Sequence, residues 1–459
     1  MASFEPVIGL EIHAQLLTDS KIFCGSSAAF GGEPNTHVCP VCLGLPGALP
    51  VLNRRAVDYA IRASLALGCT INERSIFARK NYFYPDLPKG YQISQYAQPL
   101  ASDGRLLDVR ILRVHMEEDA GKSLHEGFAD SNRRTYVDFN RAGVPLVEIV
   151  TQPDLRSAAD AAAFFSALRE ILVWLGVNDG NMEEGSLRCD ANVSVRPAGA
   201  SALGTKTEVK NLNSFRFLQK ALEYEIDRQI DVVSNGGRVV QETRLWDAGA
   251  GRTVSMRSKE EAHDYRYFPE PDLPPLVVDP ARVDAIRREM PELPTARRAR
   301  LTTVYALPEY DAGQLTQTRA LADYFEAVVA AGAPAKAASN WTMQGGPAVE
   351  ASKLAGLIAL VENGTISSSV AKDVLQKMAA SGRGADEIVA AEGLTQINDD
   401  SAMAGLVADV LAANADAVAQ YRSGKHAAFG FLVGQAMKAA AGKANPRRIN
   451  ELLKEALGA

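Results

Sequence analysis

The stretch VIGLEIHAQL, residues 7–16, decides how the N-terminal part of this chain folds. Apolar and polar residues alternate along it, which is the pattern of a half-buried β-strand. One face is apolar and predicts packing against a core: Ile8, Leu10, Ile12, Ala14 and Leu16. The other face presents Glu11, His13 and Gln15. The stretch therefore predicts a sheet that packs on a core with one face and lines a polar cavity with the other.

Two later segments repeat this pattern and add ionisable groups. Residues 110–119, RILRVHMEED, bring four of them to one strand face: Arg113, His115, Glu117 and Asp119. Residues 144–151, VPLVEIVT, form an apolar strand with a single carboxylate, Glu148. A hairpin is predicted at 245–256, and helices are predicted at 54–67, 157–175 and 215–234. Together these elements predict an α+β fold, an antiparallel sheet with flanking helices.

The composition of the chain changes near Pro294. Pro291, Pro294 and Pro308 lie close to this change and indicate a domain boundary. The remainder is rich in alanine and has helical periodicity. Helices are predicted at 296–306, 315–331, 352–363, 367–380, 401–412, 414–422, 426–440 and 446–457. Because the loops between them are short, this half is predicted to be a helical bundle in two pieces.

The bulk composition excludes several classes of protein. A chain of 459 residues with 47% hydrophobic and 23% charged residues is typical of a globular protein of two or three domains. Its net charge of −6 argues against a protein that coats nucleic acid by charge alone. Glu5 and Glu11 interrupt the first segment, so we predict no signal peptide, and no apolar run predicts a membrane span. Five cysteines in so long a chain indicate reduced thiols and a cytoplasmic location.

The run HMEEDAGK, residues 115–122, contains three consecutive carboxylates. Such neighbours repel one another unless a cation or solvent relieves the repulsion. A solvated acidic loop is one interpretation. The other is a metal site, because Glu11, His13 and Glu148 lie on other strands, and carboxylates with one imidazole suit Mg²⁺ or Mn²⁺.

Three cysteines form a second candidate site. Cys39 and Cys42 make a CxxC pair beside turn residues, and Cys24 supplies a third thiol. A structural zinc site and free reduced thiols are both compatible with this spacing. A fourth zinc ligand is not evident, since His37 is only nearby and Ser26 is a poor ligand.

Two groups of basic residues also allow two interpretations. Lys206 and Lys210 share a strand face with Glu208, and could either neutralise phosphate or form an ion ladder. The C-terminal tail carries a basic patch that could contact an RNA backbone or lie on solvated helix faces. This patch includes Lys438, Lys443, Arg447 and Arg448.

Several long strings together make the chain resemble the GatB family, the B subunits of tRNA-dependent amidotransferases. They are VIGLEIHAQL at 7–16, CPVCLGLPG at 39–47, RKNYFYPDLPKGYQISQ at 79–95, HMEEDAGK at 115–122, PLVEIV at 145–150, MEEGSLRCDANVSV at 182–195, EVKNLNSF at 208–215, DYRYFPEPD at 264–272 and GFLVGQAMK at 430–438. The resemblance implies a cradle-like catalytic domain at 1–293, a helical domain at 294–400 and a helical tail contacting tRNA at 401–459.

The resemblance also implies an activity, that of a glutamine-hydrolysing carbon–nitrogen ligase. Such a chain would use ATP and Mg²⁺ to phosphorylate the side-chain carboxylate of Glu-tRNA(Gln) or Asp-tRNA(Asn). Ammonia from an amidase A subunit would then displace phosphate, within a heterotrimer completed by a small C subunit. A non-catalytic tRNA adaptor and a stand-alone amide ligase are the competing hypotheses.

Residue roles follow from the same resemblance. It assigns Glu11, His13, Glu117 and Glu148 as Mg²⁺ ligands. It places Glu118, Lys80 and Lys89 on the ammonia route, and Lys206 and Lys210 at phosphate. Zinc-binding relatives carry a CxC pair before the CxxC, where this chain has Cys24-Gly25-Ser26. Three of the four expected cysteines are therefore present, which leaves zinc undecided.

Overall fold

The computed structural model describes residues 3–125, 127–128, 130–258, 265–396, 400–440, 444 and 446–458. The chain divides into two compact units, Met1–Leu293 and Pro294–Ala459. The first unit combines a mixed sheet with helices, and the second is helical. The predicted α+β class is thus confirmed.

The strands of the first unit belong to one large sheet and three small ones. The strands are β1 (Phe4–Gln15), β2 (Thr70–Ile71), β3 (Arg74–Ser75), β4 (Phe77–Asn81), β5 (Tyr91–Gln95), β6 (Ala101–Leu106), β7 (Val109–Glu118), β8 (Lys122–Leu124), β9 (Tyr136–Asp138), β10 (Pro145–Thr151), β11 (Leu187–Pro197), β12 (Thr207–Lys210), β13 (Glu242–Asp247), β14 (Arg252–Ser258), β15 (Phe268–Pro269) and β16 (Leu276–Val277). The large sheet has nine strands in the order β14-β13-β12-β11-β1-β10-β7-β6-β2. Adjacent strands within this sheet run antiparallel, except that β12 and β13 are parallel.

Strand β1 lies at the centre of this sheet. It pairs with β10 on one side and with β11 on the other, both antiparallel. The apolar residues of its predicted core face are all buried, and His13 lies on the opposite face. The alternation in VIGLEIHAQL therefore predicted the two faces of the central strand correctly.

Helices cover the apolar face of the sheet. They are α1 (Arg54–Ala66), α2 (Ala158–Trp174), α3 (Phe215–Ser234) and α4 (Pro280–Glu289). The first three confirm the predicted helices, and the Ser157 hydroxyl accepts from the backbone N–H of Asp160 as an N-cap. Phe164, Phe165 and Leu168 of α2 are fully buried in the core that these helices share with β1. The polar face of the central strands is left to carry a site.

The second unit contains more and shorter helices than predicted. They are α5 (Pro294–Val304), α6 (Glu309–Leu315), α7 (Arg319–Ala330), α8 (Ala335–Met343), α9 (Ala351–Glu362), α10 (Ser368–Ser381), α11 (Ala385–Glu392), α12 (Asp400–Ala413), α13 (Ala415–Arg422), α14 (Ala427–Ala439) and α15 (Pro446–Leu457). The helix predicted at 315–331 corresponds to α7, which begins four residues later than predicted because Thr318 caps its N-terminus. The predictions missed α4, α6, α8 and α11, short helices that begin directly after Asp279, Pro308, Pro334 and Gly384.

Two separate apolar cores hold the second unit together. One gathers residues between Leu301 and Val389, and the other gathers residues between Met403 and Leu457. Within the described residues no single helix is long and apolar enough to cross a membrane. The bent pair Ser401–Ala413 and Ala415–Arg422 meets that test of length and composition only when its two helices are combined.

Candidate active site

The register of the central strands places four ionisable residues in one line across the sheet. His13 on β1 pairs with Glu148 on β10, and Glu148 pairs in turn with His115 on β7. On its other side His13 pairs with Arg188 on β11. Residues paired in this way point to the same face. The line therefore lies on the face opposite the helices.

Glu117 joins this line from the same face of β7. His13 Nε2 lies 3.5 Å from Glu148 Oε2 and 3.6 Å from Glu117 Oε1. His115 Nε2 lies 3.2 Å from Glu148 Oε2, and Ser94 Oγ donates to Glu117 Oε2 at 2.9 Å. These four residues, His13, His115, Glu117 and Glu148, form the carboxylate–histidine cluster.

The histidines and carboxylates of the cluster stabilise one another's charged forms. Burial alone would raise the pKa of Glu148, but His115 and His13 hold it well below its usual range. Glu117 behaves in the same way, with its pKa lowered chiefly by the hydrogen bond to His115. Burial opposes protonation of His115, yet Glu148 and Glu117 raise its pKa to about 9. The two carboxylates are therefore ionised at neutral pH.

The cluster fits a divalent cation. One ligand atom each of His13, Glu117 and Glu148 can be chosen so that all lie within 4.8 Å of one another. Two carboxylate oxygens and an imidazole are donors that Mg²⁺ or Mn²⁺ accepts, and three donors leave coordination positions for water or phosphate.

Glu11 is not part of this group of three. Its register partner on β10 is Val150, two residues from Glu148 along the strand. Its carboxylate accepts a hydrogen bond from Asn192 Nδ2 at 2.9 Å. Its assignment as a Mg²⁺ ligand stays a prediction. His115 was placed on the correct strand face from sequence but received no role, although its position two residues from Glu117 was the available signal.

The three consecutive carboxylates of HMEEDAGK avoid mutual repulsion because each has different partners. Glu117 faces the cluster. Glu118 forms an ion pair with Lys89 and accepts from the backbone N–H of Ile93 at 2.9 Å. Asp119 accepts from Arg188 at 3.0 and 3.1 Å. All three acidic residues are buried, so the interpretation as a solvated loop is wrong.

The Lys89–Glu118 ion pair lines a partly open cavity. Its other walls include Lys21, Cys42 and Leu45. No sequence pattern indicated a role for Lys21. This lysine is fully buried, and its Nζ donates to His37 O at 2.6 Å. The cavity thus combines two lysines with two carboxylates, Glu118 and Asp272.

Lys80 is not among the residues that line this cavity. Burial would lower its pKa, but the charges of Glu117 and Glu148 raise it above the usual value. Its Nζ lies 4.9 Å from the centroid of the Tyr265 ring, within cation–π range. Lys80 therefore stays charged beside the carboxylate–histidine cluster.

The three predicted thiols also converge, in the segment between β1 and α1. We call Cys24, Cys39 and Cys42 the thiol cluster, and their sulfurs lie within 4.8 Å of one another. Cys39 Sγ and Cys42 Sγ are 3.8 Å apart, close to the edge of a tetrahedron with Zn–S bonds of about 2.3 Å. A hydrogen bond from Cys24 lowers the pKa of Cys42 to about 4. Three donors of a zinc site are therefore in place.

The fourth zinc ligand is not found among the described residues. Ser26, at the position of the missing cysteine, hydrogen-bonds to the Cys24 thiol. The His37 ring packs against Gly32 and is not a member of the thiol cluster. Cys69 and Cys189 are buried in the core of the first unit.

The predicted phosphate-binding lysines differ in their surroundings. Lys210 Nζ lies 2.5 Å from Asp190 Oδ2 and 3.6 Å from Glu208 Oε1, which is the ion ladder considered from sequence. Lys206 is exposed, just before β12. A phosphate role for either residue stays a prediction.

The basic tail is only partly described. Lys438 is exposed near the end of α14. Arg448 Nη1 lies 3.1 Å from Glu451 Oε2, so part of its charge is neutralised. Lys443 and the side chain of Arg447 lie outside the described residues. Contact of this tail with tRNA stays a prediction.

Comparisons with known proteins agree with this architecture. A model of the GatB/GatE catalytic domain matches residues 6–284, and a model of the GatB domain matches residues 323–457. The B subunit of the aspartyl/glutamyl-tRNA(Asn/Gln) amidotransferase of Myxococcus xanthus is 54% identical, with 100% of this chain and 99% of the relative covered. The proteins of the same name from Moorella thermoacetica and Bordetella parapertussis are each 56% identical, with 99% of this chain and 100% of each relative covered. This chain therefore belongs to the GatB family.

Proposed function

We propose that this chain is the transamidating component of a tRNA-dependent amidotransferase. Its substrate would be Glu-tRNA(Gln), Asp-tRNA(Asn) or both, and its partners would be an amidase A subunit and a small C subunit. Relatives of similar length are named for this reaction. An aminoacyl-tRNA substrate implies the cytoplasm.

The observation that carries the proposal is the carboxylate–histidine cluster on the central strands. Phosphoryl transfer requires the attacking carboxylate oxygen and the leaving oxygen of ATP to lie roughly in line at the γ-phosphorus, while a divalent cation neutralises the charge. When bound, Mg²⁺ would neutralise charge on the transferring phosphoryl group. His13, Glu117 and Glu148 would hold the cation, and their backbones belong to paired strands that fix the spacing between them.

The first chemical step would activate the amino acid on the tRNA. An oxygen of its side-chain carboxylate bonds to the γ-phosphorus of ATP while the bond to the β–γ bridging oxygen breaks, and ADP leaves. Lys80 is half-buried and charged beside Glu117, so it is suited to orient an anionic substrate group there.

The second step would replace phosphate with ammonia. The ammonia nitrogen bonds to the acyl carbon, phosphate leaves with the C–O bonding electrons, and the nitrogen loses one proton. Ammonia must arrive unprotonated and away from bulk water. The cavity beside Lys89 and Glu118 supports a route for it, because the buried ion pair presents polar groups within a protein wall.

Reconstitution with the A and C subunits tests the proposal. Each misacylated tRNA is supplied with ATP, Mg²⁺ and glutamine, and both phosphate release and amidation are measured. We expect wild-type protein to support both reactions and Glu148→Gln to lower both by at least about 100-fold, beyond the effect typical of residues that only support metal ligands.

A matched control and the competing hypotheses sharpen this experiment. Glu362→Gln removes an exposed carboxylate at the end of α9 and should leave both rates unchanged. If Glu148→Gln amidates at the wild-type rate while tRNA binding persists, the chain is a tRNA adaptor. Glutamine formation from free glutamate without tRNA would instead show a stand-alone amide ligase.

A further inference from the structure

We infer that Arg188 is a further catalytic residue, whose guanidinium group contacts the phosphoryl group during its transfer from ATP. This inference rests on the proposed function, because it names a residue for that phosphoryl transfer. The position of Arg188 in the sheet, its remaining hydrogen-bond donors and its charge each support this role.

Arg188 lies beside a proposed cation ligand. It is the register partner of His13 across β11 and β1, so the two side chains leave the same face of the sheet. Residues paired in this way have Cβ atoms about 4.5–5.5 Å apart. The Arg188 side chain is 32% exposed, so it is not enclosed in the core. A ligand held at the carboxylate–histidine cluster would therefore lie within reach of this arginine.

Three hydrogen bonds fix the orientation of the guanidinium group of Arg188. Its Nη1 donates to Asp119 Oδ2 at 3.0 Å and to Gly185 O at 3.3 Å, and its Nη2 donates to Asp119 Oδ1 at 3.1 Å. A guanidinium group has five N–H donors. The Nε–H and one Nη2–H therefore remain, and no described residue accepts a hydrogen bond from either. Arg188 is held in place, yet it keeps two donors for a ligand.

The charge of Arg188 is not balanced by a carboxylate of its own. Asp119 also lies 3.8 Å from Arg141 Nε, so two guanidinium groups share one carboxylate. Asp190, the next residue on the polar face of β11, is paired with Lys210 at 2.5 Å. A surplus of positive charge beside the carboxylate–histidine cluster favours an anionic ligand there. Arginine is suited to phosphate in particular, because its planar fork matches two phosphate oxygens and its charge is permanent.

The phosphoryl group in transfer is the anion that these features fit. Its transition state spreads negative charge over three equatorial oxygens. Arg188 would donate its two remaining N–H groups to these oxygens while the bond to the β–γ bridging oxygen breaks. It forms no covalent bond and moves no proton. Because Asp119 and Gly185 already hold the guanidinium group, its dipoles need no reorganisation at the moment of transfer.

Kinetics of the reconstituted trimer test this role. We expect Arg188→Gln to lower kcat for tRNA-dependent phosphate release by about 100-fold or more, the usual effect of losing one donor to a transition-state charge. KM for ATP and KM for aminoacyl-tRNA should stay near their wild-type values. Arg188→Lys keeps the charge without the fork and should recover only part of the rate. Arg196→Gln is the matched control, because Arg196 lies on the same face near the other end of β11 and pairs with Glu5.

Asp119→Asn separates this role from that of a structural ion pair. If Arg188 served only to hold Asp119, the loss of either partner would change the rate equally. If Arg188 contacts the phosphoryl group, Asp119→Asn keeps the guanidinium group and should lower kcat less than Arg188→Gln does. Thermal unfolding shows whether each variant is folded at the assay temperature. If Arg188→Gln is not folded, Arg188→Lys supplies the same comparison.

A wild-type kcat in Arg188→Gln would overturn the inference, and so would an equal loss in Asp119→Asn or Arg196→Gln. A loss confined to KM for aminoacyl-tRNA would also overturn it, because Arg188 would then bind the tRNA and not the phosphoryl group. In all these cases the wild-type trimer still amidates, so the proposed function stands. A wild-type trimer that releases no phosphate with either tRNA would refute the proposed function, and this inference with it.

Discussion

The carboxylate–histidine cluster and the thiol cluster are built in opposite ways. The first stands on β1, β7 and β10, adjacent strands of the large sheet, so backbone pairing sets the distance between its members. The second lies in the segment between β1 and α1, which contains no regular strand or helix. A sheet can hold its ligands ready before a cation arrives, whereas an irregular segment gains stability from the metal itself.

The largest expected effect separates the two clusters by activity. Glu117→Gln should lower amidation by at least about 100-fold, since it removes a cation ligand from the proposed reaction site. Cys39→Ser should lower it less than about 10-fold, since the thiol cluster takes no part in the chemistry. Initial rates of the reconstituted trimer measure both. Equal losses would refute this division of roles.

The second prediction separates the clusters by stability. If three thiols hold zinc, zinc at about 100 times its dissociation constant should raise the free energy of unfolding by about 2.7 kcal/mol. Thermal unfolding with added zinc and with a chelator measures this difference. Cys39→Ser should lose the response, and Cys69→Ala, which changes a buried core thiol, should keep it. A wild-type melting temperature that is the same with and without the chelator would argue for free reduced thiols.

The third prediction concerns the pKa of Asp119, the buried carboxylate that directly follows β7. Arg188 and Arg141 overcome burial and lower the pKa of Asp119 to about 2. A lowered pKa stabilises the fold above the ordinary pKa near 3.8, and that contribution disappears as the pH falls to about 2. The full contribution is about 2 kcal/mol. Urea unfolding should show that the free energy of unfolding of the wild type exceeds that of Asp119→Asn by about 1 kcal/mol less at pH 3 than at pH 6. A gap independent of pH would contradict the assignment.

The smallest expected effect tests the scaffold behind the carboxylate–histidine cluster. Ser157→Ala removes the side chain that caps α2 and should lower the free energy of unfolding by about 1 kcal/mol. Amidation at a temperature well below unfolding should not change, because the paired strands still set the ligand spacing. A loss of activity as large as that of Glu117→Gln would mean that α2 positions the site directly.

The sequence predicted the strand face on which a side chain lies better than it predicted which residues that side chain contacts. Alternation assigned His13 and Glu117 to polar strand faces, and the structure brings both to Glu148. Glu11 has the same alternation as His13, yet the register with β10 sets it opposite Val150. Register between strands more than a hundred residues apart depends on the whole sheet, so no local pattern revealed which of the two would meet Glu148.

The partners of the acidic triplet were hidden for the same reason. Lys89 and Arg188 come from distant parts of the chain, and each removes one carboxylate from the repulsive group. The short helices of the second unit were missed for a local reason. Pro334 and Gly384 stand immediately before α8 and α11 and form no side-chain cap hydrogen bond, so the capping residues that usually announce a helix are absent there.

The central position of β1 has a consequence for synthesis on the ribosome. This strand emerges before the other strands of the large sheet, yet β11, which covers one of its edges, ends at Pro197. At 5 to 20 residues per second, roughly 10 to 35 s pass before that partner is translated. During that interval the edge of β1 that β11 will cover is open to hydrogen bonding by other nascent chains. The strand that carries His13 therefore remains open to wrong pairing along one edge until β11 has been made.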